Sequence, residues 1–465
     1  MAGAVGAYPL QWSRTMNGRR LGTDNLGAGG GWSHSYQWRC SADGYLSAYP
    51  DVYTVTFPDG RVVRFNHVTP SNVSPLGVGD RMGGGSGTGY VYLLMAGGGQ
   101  VRFYQRATYY PQDPSWSFTV DPPDQVIDPN GLVTTLTYDT SSRLIQVTEP
   151  AGRYLIISYG TNGYISEVDA YTAAGHLSQW VTYTYATQTF GGVPYVVLTR
   201  ATYIGSPAPI AYYTYQTSNL SASGTPLIST CKDVRYPGPM KNIGYAFVRT
   251  NPLSYGELSQ EQNANGTPVV TLTVNGTTRT ETRNDASGAS RTWTYGATPS
   301  GGSNLPYLLK TFTDFAAHTT TLGYDANAYV NSVTDSMVPS RTTSFVRLAL
   351  TGAISKITHP GDASTIQYFF MDPTTGYHLE HVTDELNHST YYHYNANMTT
   401  SEIDYLDGGI EKFTYNGFNE VLTHTMPSNT GVAGTGGTEN YSYDSTGLLL
   451  THTPPGSTSD PSPSP

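Results

Sequence analysis

One motif returns along this chain: an aromatic residue, then Asp, Asn or Gly, a turn, an aliphatic residue, Thr and an acid. It reads Tyr138-Asp139 with Val147-Thr148-Glu149, Tyr324-Asp325 with Val333-Thr334-Asp335, Tyr394-Asn395 with Ile403-Asp404, and Tyr443-Asp444. A period of about 20 to 50 residues marks a repeat architecture, in which no unit buries its apolar face alone and neighbours must stack. The expectation moves from chemistry toward scaffolding.

The spacing sets the size of the unit. Tyr138 to Tyr159, Val147 to Val168, Val382 to Ile403 and Tyr394 to Tyr415 are each 21 residues apart. That length holds two strands of about seven residues, each roughly 23 Å long at ~3.3 Å per residue, and two short turns. Each repeat is therefore expected to be one hairpin. Only 12% of residues are charged, whereas there are 38 Tyr, 51 Gly and 30 Pro. Tyr and Thr favour pleated strands, and Gly, Pro, Asn and Asp supply turns, so the fold class is all-β, built of antiparallel β-hairpin repeats.

Six segments follow from the pattern. Residues 1–45 differ from the rest and suit a cap over the first open edge, with Pro9-Leu10, Trp12-Ser13-Arg14-Thr15-Met16-Asn17 and Gly31-Trp32-Ser33-His34-Ser35-Tyr36. Residues 46–127 read as a β-meander, with hairpins at 53–65 and 90–106. Residues 128–185 form regular repeats, opening on the turn Asp128-Pro129-Asn130-Gly131. Residues 186–307 are irregular, interrupted by loops such as Ser206-Pro207-Ala208-Pro209 and Tyr236-Pro237-Gly238-Pro239. Regular repeats return over 308–452, and 453–465 is a Pro/Ser-rich tail or truncation point.

The motifs that could carry chemistry all have a plainer reading. His378, His381, His388 and His393 with Asp384 are the densest metal-like group, yet odd spacings on strands put neighbours on opposite faces. The recurring acids Asp139, Glu149, Asp169, Asp314, Asp325, Asp335, Asp384, Asp404 and Asp444 resemble glycosidase carboxylates only in number. They recur beside turns, where Asp bonds its own backbone, and no unique pair stands out. Gly83 to Gly89 lacks the Lys and helix of a phosphate loop. Cys40 and Cys231 read as two unpaired thiols, and tyrosine clusters such as Tyr212-Tyr213-Tyr215 as cross-strand pairs. The net charge of -10 without like-charge blocks argues against nucleic acid, and no apolar run reaches the roughly 18 residues of a membrane span. No catalytic residue, metal or cofactor is expected.

Together these residues resemble the RHS/YD-repeat family, whose unit runs Tyr-Asp, Gly-Arg-Leu, Val-Thr-Asp-Pro, Gly-Arg and Tyr-x-Tyr. Tyr138, Asp139, Gly152, Arg153 and Tyr159 follow it nearly throughout, with Ser142 where the first Gly is usual. Tyr324, Asp325, Asp335, Asp384, Tyr394, Tyr415, Tyr443 and Asp444 continue the structural motif. Arg14, Asn17, Gly31, Trp32 and His34 match the family's N-terminal module. The resemblance implies a sheet that spirals into a hollow shell, enclosing a toxic C-terminal domain in bacterial members and serving cell-surface adhesion in animal relatives. The family's core-terminating segment has no counterpart before Pro465, so the chain reads as the first part of a shell.

That resemblance implies a secreted or cell-surface bacterial protein, although no signal peptide is visible, with a toxin domain or cargo outside this chain as partner. The alternative is an adhesion module binding glycans or a protein through exposed Tyr and the 186–307 loops.

Overall fold

The computed structural model describes residues 5–17, 25–27, 31–44, 49–68, 71–73, 78–84, 87–113, 115–205, 210–220, 226–233, 242–248, 257–262, 267–275, 278–284, 288–296, 308–336, 340–348, 352–361, 364–372, 376–427, 436–445 and 447–456. The loops at 206–209 and 236–239, the centre of the Gly83–Gly89 run and the tail from 457 lie outside the described residues.

Every regular element among the described residues is a strand, and every pairing is antiparallel. Two small sheets come first. Arg14–Met16 pairs with Trp32–His34, and Arg39–Asp43, Val52–Thr56, Val62–Val68 and Ser71–Val73 form a four-stranded meander. From Arg81–Gly84 to Leu449–Thr453 the strands then lie beside one another almost strictly in chain order. The exception is the 11-residue strand Gln100–Tyr110, which pairs with Gln125–Ile127 along its first half and with Ser115–Val120 along its second. No sheet is closed.

The ribbon curves back over itself. Tyr329 Oη donates to the Val78 carbonyl at 3.1 Å across 251 residues, and Asn130 Nδ2 to the Asn397 carbonyl at 3.4 Å across 267. Those two contacts bring segments 251 and 267 residues apart in the chain side by side.

Register sorts apolar residues onto one face in the first turn. Leu136 lies opposite Val147, Val147 opposite Leu155, Ile157 opposite Val168, Val168 opposite Val181, and Tyr183 opposite Ala201. All are buried, in one core cluster with Leu10, Leu26 and Trp32. The core extends from Val5 to Ile228. Beyond it the only buried hydrophobic side chain among the described residues is Ala328.

Candidate functional site

The repeat unit is held by two local devices. The first is the acid of each Tyr-Asp pair. Asp139 Oδ1 accepts from the backbone N–H groups of Ser141 and Arg143, both at 2.9 Å. Asp314, Asp325 and Asp384 repeat this at Ala316 and His318, Asn327 and Tyr329, and Leu386 and His388. These donors, the residue at i+4 first, hold the Asp139, Asp314 and Asp384 carboxyls below their ordinary range. The tight turn forces its fourth residue to positive φ: +84° at Gly152, but also +58° at Ser142 and +61° at Met398. Side chains there cost about 1–2 kcal/mol relative to glycine.

The second device is the tyrosine itself. A register shift falls just before Tyr159, Tyr324, Tyr394 and Tyr415. The displaced hydroxyls donate across the sheet to the carbonyls of Leu144, Leu309, Leu379 and Thr400, each 15 residues back, at 3.0, 2.6, 2.8 and 2.7 Å. Tyr185 and Tyr215 make the same tie over 20 and 17 residues. The ring packs while the hydroxyl satisfies a carbonyl at the strand end, which Phe cannot do. Burial pushes Tyr159 up to about 12.

The recurring acids do not share one role. Glu149 and Arg153 occupy the same turn positions as Asp139 and Arg143, but they form a fully buried, two-pronged ion pair, with Arg153 Nη2 donating to Glu149 Oε2 at 2.7 Å. Asp169 lies mid-strand beside Glu167, and burial raises both carboxyls. Asp404 ends a strand and pairs with His393 Nε2 at 3.0 Å. Asp335 ends its strand opposite Arg341. Neighbouring strands, rather than position in the unit, decide which role each acid takes.

The cap is fastened by long-range aromatic contacts. The indole N–H groups of Trp12 and Trp32 donate to the hydroxyls of Tyr183 and Tyr215, both at 2.8 Å. Trp32 meets the Tyr213 ring edge-on at 4.9 Å, and His34 stacks on Trp12 at 4.6 Å. Arg14 donates to the hydroxyls of Tyr203 and Tyr213, and its guanidinium lies 5.4–5.5 Å from the ring centres of Tyr183, Tyr203 and Tyr213. Gly31 accepts the Asn17 N–H at 2.8 Å, and Asn17 packs against Gly60. At the array's first turn Asp128 Oδ2 accepts the Ala7 N–H at 2.9 Å.

The histidines do not converge on one centre. His381 stacks between Tyr368 and Tyr391, His378 lies beside Tyr394, and His388 pairs with Asp384 on its own turn. His393 offers a nitrogen within 4.8 Å of oxygens from Glu402 and Asp404. However, Lys412 already holds Glu402 at 3.0 Å. Further along, four strands line up Glu411, His424, Glu439 and His452 at 3.5 Å per contact. Phe413 and Tyr441 stack on the two imidazoles at 4.7 and 4.9 Å. Hydrogen bonds from Tyr441 and then from His424 hold the Glu439 carboxyl below its ordinary range, even though desolvation opposes them. This ladder was invisible in the sequence, because its members belong to different strands.

Cys40 and Cys231 form no disulfide, and burial pushes Cys40 up to about 12, which keeps it protonated. No helix among the described residues is long and apolar enough to cross a membrane.

These elements define an open array of tyrosine-tied β-hairpins on which N-terminal residues such as Trp12, Arg14 and Trp32 pack. Residues 125–154 match the family model described as RHS Repeat. No curated protein matches the sequence. Among solved structures the chain is similar to the TcdB2-TccC3-Cdc42 complex at 12% identity, covering 88% of this chain and 26% of that one, TM-score 0.38. The Photorhabdus luminescens Tc holotoxin pore gives 13% identity, 86% and 21% coverage, and TM-score 0.37. A porin-like protein from Bacteroides uniformis gives 10% identity, 54% and 88% coverage, and TM-score 0.18. The chain spans about a quarter of the length of the first of these, at 26%.

Proposed function

We propose that this chain is a non-catalytic wall segment of a secreted or surface bacterial RHS-repeat shell, serving toxin encapsulation and delivery in intercellular competition. The observation that carries this reading is the ribbon itself. It runs hairpin to hairpin almost strictly in chain order, returns over itself after 251 residues, and keeps one face of its later strands only half-buried. A sheet that encloses space needs such an inner face, and a packed domain does not. The local chemistry agrees, because most of the periodic acids and the motif tyrosines serve turns, ties and ion pairs. Any toxic activity would then belong to a C-terminal domain or cargo outside this chain, with the cap closing one end.

Electron cryomicroscopy of the purified chain tests this directly. The expected particle is a curved wall one sheet thick around a solvent-filled lumen. A solid body, with the later strands packed against a second layer, would remove the proposal.

A further inference from the structure

Between the cap and the wall lies a cavity of about 400 Å³, lined by Pro9 to Trp12, Arg14, Leu155, Val168, Gln179, Val181 and Tyr203. Its chemistry is unbalanced. Arg14 is a deeply placed cation, and no carboxylate pairs with it among the described residues: its partners are the hydroxyls and rings of Tyr183, Tyr203 and Tyr213. Burial raises Tyr183 and Tyr213, so they remain neutral phenols and supply no counter-charge. Nε and Nη2 of Arg14 are used by tyrosines, whereas Nη1 donates to no acceptor among the described residues. A buried guanidinium normally meets a carboxylate or phosphate with its planar fork, because an uncompensated charge in low dielectric is costly.

We infer that the cavity beneath the cap is a binding site for a carboxylate, with Arg14 as its anchor and the Gln11 and Gln179 side of the cavity as its polar rim. The singly charged carboxylate matches one guanidinium, and the apolar wall of Leu155, Val168 and Val181 accommodates the body that bears it. The cavity volume is that of a small-molecule pocket. It equally admits one acidic side chain from a polypeptide held inside the wall. Arg14 acts here as a binding residue in addition to fastening the cap.

Trp12 lines the cavity, so its fluorescence reports occupancy. The full chain would be titrated with D-glucuronate, with D-glucose as the neutral control, and with a capped aspartyl dipeptide as a side-chain source. Saturable quenching by either acid, absent with glucose, is expected; the dipeptide arm tells a free acid from a polypeptide source. Arg14→Gln should weaken binding on the order of tenfold or more. Because that change also loosens the cap, Gln179→Glu is the second variant: Gln179 is an exposed strand residue, and a carboxylate on the rim should compete with the ligand and abolish quenching while near-UV dichroism stays unchanged. No quenching by either acid beyond that by glucose would overturn the inference, as would acid binding unaffected by Gln179→Glu.

Discussion

The wall from 133 to 233 and the wall from 308 to 453 are made of the same hairpin, with the same acid turns and the same tyrosine ties, and yet they are packed differently. In the first, Leu136, Val147, Leu155, Ile157, Val168 and Val181 lie under the cap and are buried. In the second, Phe312, Leu322, Val333, Phe345 and Ile357 occupy equivalent rows and are only half-buried. The second wall carries cross-strand hydroxyl pairs such as Thr313 with Thr319, Thr334 with Thr342 and Thr425 with Thr438, at 2.8–2.9 Å, as the first does at Thr214 and Thr230, and adds the Glu–His ladder. The same local devices thus recur with and without deep burial, and among the described residues the extended buried core lies in the first wall.

The largest effect expected from breaking that contrast is at the buried ion pair. Arg153→Met strands the Glu149 carboxylate and should cost about 3–5 kcal/mol in the first wall, whereas Lys412→Met, at an exposed pair in the second, should cost under about 1 kcal/mol. Regional hydrogen exchange would read both. The tyrosine ties should behave alike in the two walls: Tyr159→Phe and Tyr394→Phe each remove one donor and should cost about 0.5–1.5 kcal/mol. A large difference between them would mean that the tie depends on the cap. Ser142→Gly relieves a left-handed residue and should stabilise its hairpin by up to about 1 kcal/mol in thermal unfolding.

Acid should separate the walls as well. The Glu439 carboxyl titrates lower in the folded ladder than in the unfolded chain. Its contribution is therefore complete above the unfolded carboxylate range and disappears as pH falls through the depressed folded value. Exchange around 421–453 should accelerate in that acid window, and Glu439→Gln should remove the pH dependence while leaving 133–171 unaffected.

Much of this was legible in the chain. The 21-residue spacing gave the hairpin, and Asp beside a turn gave its own capping, since both follow from strand period and local bonding. The target of each tyrosine was not, because a carbonyl 15 residues back comes within reach only after a bulge shifts the register. Glu149 and Arg153 read as another turn pair, since burial by the cap is a contact made from far along the chain. For the same reason nothing in the sequence joined Arg14 to Tyr213 or His424 to Glu439. Turn lengths and bulges decide which side chains meet across strands, and those are tertiary facts.

The central claim is that the cap stabilises only the first wall. Hydrogen exchange of the intact chain and of Trp32→Ala measures it most directly, since this truncation removes the Tyr215 bond and a large buried ring, worth about 3–5 kcal/mol. Protection should fall across 181–215 and stay unchanged across 389–443. Equal loss in both walls, or none in either, would contradict it.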